Sequence, residues 1–186
     1  MYSREFRAEK TTPQRTDFPL STSQATAEAE LLIGWLDDQR NHAIEILAGV
    51  SDADLRRPIL ASGWSCLGMI GHLIGLERFW FRKIVQGDLD AAPDIAQPIE
   101  WQVGPDVPAD AIFAAYRGEI QRSNQIIRAT SLDAPPAVWP DFFEDWHLDT
   151  LREIILHTMT ETAMHAGHLD AARELIDGHQ WLVLDV

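Results

Sequence analysis

Cysteine is almost missing from this sequence, since Cys66 is the only one among 186 residues. A single thiol excludes an intramolecular disulfide and any zinc site built from several thiolates. Cys66 falls near the start of a predicted helix, where we interpret it as a small buried apolar side chain. The absence of disulfides favours a reducing compartment, and the cytoplasm is the expected location.

Positive charge and long apolar runs are also scarce. The chain has 15 Lys and Arg against 29 Asp and Glu, which gives a formal net charge of −14. Such an acidic surface repels phosphate backbones and anionic lipid headgroups, so we expect no nucleic-acid partner. Charged residues interrupt the apolar stretches, and residues 1–20 contain no apolar run, so neither a membrane span nor a signal peptide is expected.

Several sequence signatures of other folds and activities are missing. The chain has no strand-like alternation of useful length, no internal repeat and no low-complexity tract. It also has no glycine-rich phosphate loop, no HExxH motif and no nucleophile elbow. These absences favour an all-α protein. A functional site in it would have to be built from scattered polar side chains.

Capping signals and apolar periodicity predict four long helices. The predicted helices run from Ser21 to Gly49, from Ser65 to about Gln86, from Pro108 to Thr130, and from Thr150 to Gly178. Long connections near residues 88–106 and 131–147 separate the last three helices. The pattern predicts a four-helix bundle with long crossover loops as one domain over residues 21–186, preceded by an N-terminal arm over residues 1–20.

The spacing of apolar residues also predicts which side of each helix faces the core. In the first helix it assigns Leu31 and Trp35 to the core and places Arg40 and His42 on a solvated face, with a role in a site as the alternative for these two. In the last helix it assigns Leu175 to the core. The second helix is apolar around much of its circumference, so His72 is expected to be buried or in a cleft.

Three polar residues interrupt the apolar stripe of the last helix: Glu161, His165 and His168. At about 100° per residue, His165 and His168 lie within roughly 40° of the direction of Glu161, so all three point the same way. An inward carboxylate needs a partner or a cation, and a divalent metal shared with His72 would satisfy it. A buried hydrogen-bonded network and a solvated polar face remain alternatives, and His157 extends the same row by one turn.

Imidazole and carboxylate ligands without a thiolate suit Zn²⁺, and they also suit Ni²⁺, Mn²⁺ or Fe²⁺. Three protein ligands would leave open positions, which a catalytic metal requires. The second long connection carries Trp139, Phe142, Phe143 and Trp146, and loop aromatics of this kind either line a ligand pocket or cover the end of a bundle. The first connection carries Trp101 and is expected to flank a site.

Two runs of this sequence resemble the DinB-like superfamily, which includes YfiT-like proteins, and in particular an actinobacterial branch of it. They read GVSDADLRRPILASGWSCLGMIGHLIGLERFWF and LREIILHTMTETAMHAGHLDAARELIDG. The resemblance implies an up-down-down-up four-helix bundle that holds one divalent metal through three side chains. Many relatives have histidine at the position of Glu161, but mycothiol-dependent maleylpyruvate isomerase is similar in using His, Glu and His. That parallel selects His72, Glu161 and His165 as metal ligands.

The same resemblance implies a metal-dependent thiol S-transferase or thiol-dependent isomerase acting on a small molecule. In such relatives the metal lowers the pKa of a low-molecular-weight thiol such as mycothiol or bacillithiol. His168 is then the expected catalytic residue, as a proton carrier. The alternatives are a non-catalytic stress-response protein that binds a metal or a small molecule, and a structural dimer with a buried polar stripe. A homodimer is compatible with each of them.

Overall fold

The computed structural model describes residues 22–91 and 103–181. Within them the chain forms five α-helices: α1 (Thr22–Glu45), α2 (Asp52–Arg56), α3 (Cys66–Glu77), α4 (Ala109–Ala129) and α5 (Leu151–Asp177). A π-helical segment, Arg78–Val85, continues α3, and a short 3₁₀ turn, Asp141–Phe143, lies before α5. Apart from an isolated bridge between Pro58 and Ser65, these residues contain no strand, so the predicted all-α class is confirmed.

Three predicted features lie outside the described residues: the N-terminal arm, the start of the first helix at Ser21, and the position of Trp101. The division into an arm and a helical domain therefore stays a prediction. The four predicted helices correspond to α1, α3 with its π-helical continuation, α4 and α5. The short helix α2 and the 3₁₀ turn were not predicted, because five and three residues are too few to show an apolar period.

The capping signals of the last helix act as the sequence predicts. Glu153 N donates to the Thr150 hydroxyl, and the Glu153 carboxylate accepts from Thr150 N, which together form a capping box. Gly178 ends α5 with φ of 78°, a left-handed conformation that glycine adopts without steric cost. Ser65 caps α3 by accepting a hydrogen bond from Gly68 N at 3.0 Å.

The long helices bury their apolar faces against one another. α1 packs against α5 and α4, and α3 packs against α4 and α5. The core includes side chains with no exposure from all four: Leu36, Ile70, Tyr116 and Ile155. Arg173 of α5 links α5 to the turn that follows α1, since its Nη1 donates to the carbonyl oxygens of Ile46 and Ala48.

The predicted core face of α1 was partly wrong. Leu31 and Trp35 are 61% and 57% exposed, and Leu175 of α5 is 65% exposed. The buried line instead follows three-and-four spacing through Ile33, Leu36, Arg40 and Ala43 of α1 and continues to Leu47 in the turn after it. Because a charged residue occupies the middle of this line, the apolar pattern alone shifted the predicted face toward its flank.

The prediction that Arg40 lies on a solvated face was also wrong, since its side chain is fully buried. Its Nε and Nη2 donate to the two oxygens of Glu77, at 2.7 and 2.6 Å. Its Nη1 donates to Asp37 and to Asn124, each at 2.8 Å. A buried charge is tolerated only with such compensation, and here the network joins α1 to the end of α3 and to α4.

The π-helical segment connects the core to the last connection. Phe79, Trp80 and Phe81 are buried in it. The carbonyl oxygen of Ile84 accepts hydrogen bonds from Ala137 N at 2.9 Å and Val138 N at 3.3 Å. These bonds fix the start of the aromatic-rich connection against the segment that follows the helix of His72.

Candidate functional site

The structure brings His72 of α3 and His165 of α5 together. Their Nε2 atoms are 3.1 Å apart, and the two rings meet nearly edge to face with centroids 4.7 Å apart. Both side chains are half-buried between the two helices. Two residues separated by 93 positions in the sequence therefore form one polar contact inside the helical assembly.

The environment keeps both imidazoles neutral near pH 7. Burial, and then the charge of His165, lowers the pKa of His72 to about 4. Burial, and then the charge of His168, lowers the pKa of His165 as well. A neutral imidazole has a lone pair on one ring nitrogen, which is the form that binds a metal or accepts a proton.

The facing nitrogen atoms fit two kinds of arrangement. One imidazole can donate a hydrogen bond to the other, at an ordinary distance. The same separation also suits two ligands of one metal ion, because nitrogen atoms at about 2.0–2.1 Å from a tetrahedral Zn²⁺ lie about 3.3 Å apart. The donor set of His72 and His165 is thus compatible with a divalent cation.

The third predicted ligand, Glu161, lies beside a different histidine. Its Oε1 is 3.6 Å from Nε2 of His157, one turn earlier in α5, and both side chains are about 30% exposed. Among the residues that the structure describes, no group of three or more His, Cys, Asp and Glu side chains could hold a metal ion. The ligand set of His72, Glu161 and His165 therefore stays a prediction.

His168, the predicted proton carrier, is exposed at the edge of the histidine pair. Its ring centroid is 5.9 Å from that of His165 and 6.2 Å from that of Trp64. Trp64 immediately precedes the cap of α3, so the start of that helix and the second half of α5 meet here. This position gives His168 access to solvent on one side and to the histidine pair on the other.

An aromatic cluster adjoins the carboxylate side of the site. We define it as the five rings of Trp80, Trp139, Phe142, Phe143 and Trp146. Trp80 comes from the π-helical segment, and its ring stacks on that of Phe143 at 5.9 Å and lies 6.0 Å from that of Trp146. The indole N–H of Trp139 donates to the backbone oxygen of Trp146 at 3.2 Å, which links two residues of the same loop.

His157 links this cluster to Glu161. Its ring lies 4.9 Å from Trp80 and 5.2 Å from Trp146. Helical spacing predicted His157 in the same row as Glu161 but predicted no neighbours for it from other parts of the chain. In the sequence, Trp80 is only one residue of an apolar helix. Its contact with His157 could therefore not be predicted from the spacing of apolar residues.

Other titratable groups lie away from the histidine pair. Cys66 is fully buried, and burial raises the pKa of its thiol to about 11, which confirms the interpretation of an apolar side chain. His42 contacts Asp170 at 2.7 Å and stacks on Trp181, at 4.6 Å between centroids, so it joins α1 to α5 and its following segment. It is only part-exposed, so the predicted solvated face is wrong for His42 as well.

The described helices include none that is long and apolar enough to cross a membrane.

The all-helical fold and the histidine pair between α3 and α5 agree with the DinB-like resemblance of the sequence. Residues 31–178 match the model of the mycothiol-S-transferase family, which is most of the chain. The chain therefore belongs to that family, and the resemblance to the DinB-like superfamily is confirmed. No curated protein and no solved structure matches it at a significant level.

Proposed function

We propose that this chain is a divalent-metal-dependent transferase that joins a mycothiol-type thiol to a small electrophilic molecule. The observation that carries the proposal is the pair of neutral imidazoles, His72 and His165, whose Nε2 atoms face each other at 3.1 Å. Membership of the mycothiol-S-transferase family supports the thiol and the reaction class. The proposal needs both the family membership and the histidine pair, because one fold hosts many activities and the function depends on the residues of the site.

The proposal includes an up-down-down-up four-helix bundle. Its support is the ring of principal contacts, in which α1 packs on α5, α5 on α3, α3 on α4, and α4 on α1. In this order the first and last long helices are neighbours. The two ligand-bearing helices, α3 and α5, are then adjacent, as a site shared between them requires.

His72, Glu161 and His165 are the proposed metal ligands, and Zn²⁺ is the preferred ion for this donor set. Glu161 and His165 are four residues apart in α5, so their side chains leave the same face of the helix about 6 Å apart along its axis. Rotation of the Glu161 side chain away from His157 would direct the carboxylate toward the histidine pair. A bound divalent ion would lower the pKa of the thiol and polarise it as a nucleophile.

The chain's own residues then control the proton and the environment. His168 is the proposed acceptor of the thiol proton, because it is exposed and its ring lies beside that of His165. The thiolate sulfur forms a bond to an electrophilic carbon, and the bond from that carbon to its leaving group breaks. The leaving group departs with the electron pair, and the proton passes from His168 to solvent.

A transfer assay tests this proposal. Purified protein with added Zn²⁺ is mixed with mycothiol and a fluorogenic alkyl bromide, and the thioether product is measured against a mixture without protein. We expect turnover by the wild type and a rate near the uncatalysed one for His165→Ala.

His179→Ala is the matched control, because His179 is exposed beyond the end of α5. This variant should keep the wild-type rate. A wild type that binds Zn²⁺ but gives no product would contradict the transferase and favour the non-catalytic binding protein.

A further inference from the structure

The aromatic cluster occupies a defined place relative to the proposed ligands. The ring of His157 contacts those of Trp80 and Trp146, and His157 Nε2 is 3.6 Å from Glu161 Oε1. Glu161 is one helical turn from His165, which meets His72. The aromatic surface is therefore continuous with the polar site through one imidazole.

Part of this surface is open to solvent. Phe142 is 50% exposed and Trp146 is 41% exposed, whereas Trp80, whose ring contacts that of Trp146, is 3% exposed. Exposed aromatic rings beside polar side chains are typical of ligand surfaces, because their apolar area is already accessible in the folded protein. The backbone bonds from Ala137 and Val138 to Ile84 hold the loop in place.

The charges around the cluster restrict what it can bind. Asp141, Glu144 and Asp145 of the same loop are exposed, and the chain as a whole carries a net charge of −14. A carboxylate or phosphate next to these side chains would be repelled. A neutral flat apolar group gains contact area on the rings without this repulsion.

We infer that the aromatic cluster binds the electrophilic co-substrate and selects for a neutral molecule with a flat aromatic group. This inference rests on the proposed function, since it assigns the second substrate of that reaction to a surface of the chain. Trp146 and Phe142 are its specificity-determining residues. The electrophilic carbon, attached to the flat group, would then lie toward Glu161 and the histidine pair.

Binding is measured first, without any reaction. Isothermal titration calorimetry of the full chain with 2-naphthalenemethanol, which has no leaving group, should show saturable binding. Trp146→Ala and Phe142→Ala should each weaken it by about tenfold, in line with the energy of an aromatic contact. Trp146→Phe should recover most of the affinity, and 2-naphthoate should bind more weakly than the alcohol.

Trp35→Ala is the matched control, because Trp35 is 57% exposed on α1 and belongs to no part of the cluster. Its affinity should equal that of the wild type. Thermal unfolding of each variant identifies any that fails to fold, and Phe142, which is half exposed, provides a second variant where Trp146→Ala is unstable. Equal affinity in the wild type and the folded cluster variants would overturn the inference, as would no binding by the wild type.

Turnover separates this inference from the proposed function. With 2-(bromomethyl)naphthalene as the electrophile, the cluster variants should raise KM with little change in kcat, and with iodomethane they should match the wild type. Turnover of both electrophiles without naphthyl binding would contradict the inference and leave the transferase intact. Naphthyl binding without turnover would contradict the transferase alone.

Discussion

Replacement of Arg40 by methionine tests whether the buried ion pair holds the helix of His72 in place. The change keeps a long side chain in the core but removes every hydrogen bond that Arg40 donates. Glu77, which ends α3 and is 1% exposed, would lose both of its short contacts to the guanidinium. Asp37 is about one third exposed, so its carboxylate can be hydrated when Arg40 is removed. Most of the lost stability therefore comes from the buried charge of Glu77.

The size of the effect follows from this geometry. Removing one partner of a buried ion pair costs about 3–5 kcal/mol, because the other charge stays in the interior without compensation. With a urea dependence of about 2 kcal/mol/M, the unfolding midpoint should fall by about 2 M. Replacing both Arg40 and Glu77 with methionine removes the isolated charge, so the double variant should recover most of the lost stability.

Urea unfolding followed by circular dichroism measures these free energies. Arg57→Met is the control, because Arg57 is 56% exposed in its pair with Asp54 and such pairs contribute about 1 kcal/mol or less. An Arg40→Met variant within about 1 kcal/mol of the wild type would contradict this expectation. So would a double variant that is no more stable than the single one.

Three further predictions concern the site and the helix ends. In the presence of a chelator, the neutral folded form of His72, whose pKa burial lowers to about 4, should make the unfolding free energy fall as pH drops from about 6.5 toward 4, by at most about 1.4 kcal/mol per pH unit; the lowered pKa of His165 acts in the same direction, and urea titrations of wild type and His72→Gln should show a shallower slope in the variant. Gly87→Ala should cost about 1–2 kcal/mol, since φ is +77° and the added Cβ would lie 3.3 Å from that of Ala137; an unchanged melting temperature would count against this. Thr150→Ala should cost about 1 kcal/mol of urea stability through loss of the capping box, and no loss would mean that the cap is redundant.

Much of the helical layout could be predicted from local signals. Thr150 and Gly178 mark the ends of α5, and Ser65 marks the start of α3, because side chains satisfy the terminal backbone groups there. The helical spacing also predicted inward histidines on the second and the last long helix, and the family resemblance selected His72 and His165 among them. These features depend on residues close together in the sequence or on one helix face.

What the sequence could not give depends on partners distant in the chain. The polar residues next to Arg40 in the sequence predict a solvated side chain. Its burial is explained only by its hydrogen bonds to Glu77 and Asn124, which are distant in the sequence. The contact of Trp80 with His157 depends likewise on how the π-helical segment and α5 approach each other. The Glu161 side chain points toward His157, and helix periodicity does not determine which rotamer a side chain adopts.

The proposal that His72, Glu161 and His165 hold a divalent ion is tested most directly by elemental analysis of protein purified without added metal. The wild type and His179→Ala should each contain about one equivalent of metal per chain, and His72→Ala and His165→Ala should contain almost none. Near-zero metal in the wild type, or the same occupancy in the wild type and both site variants, would contradict the claim.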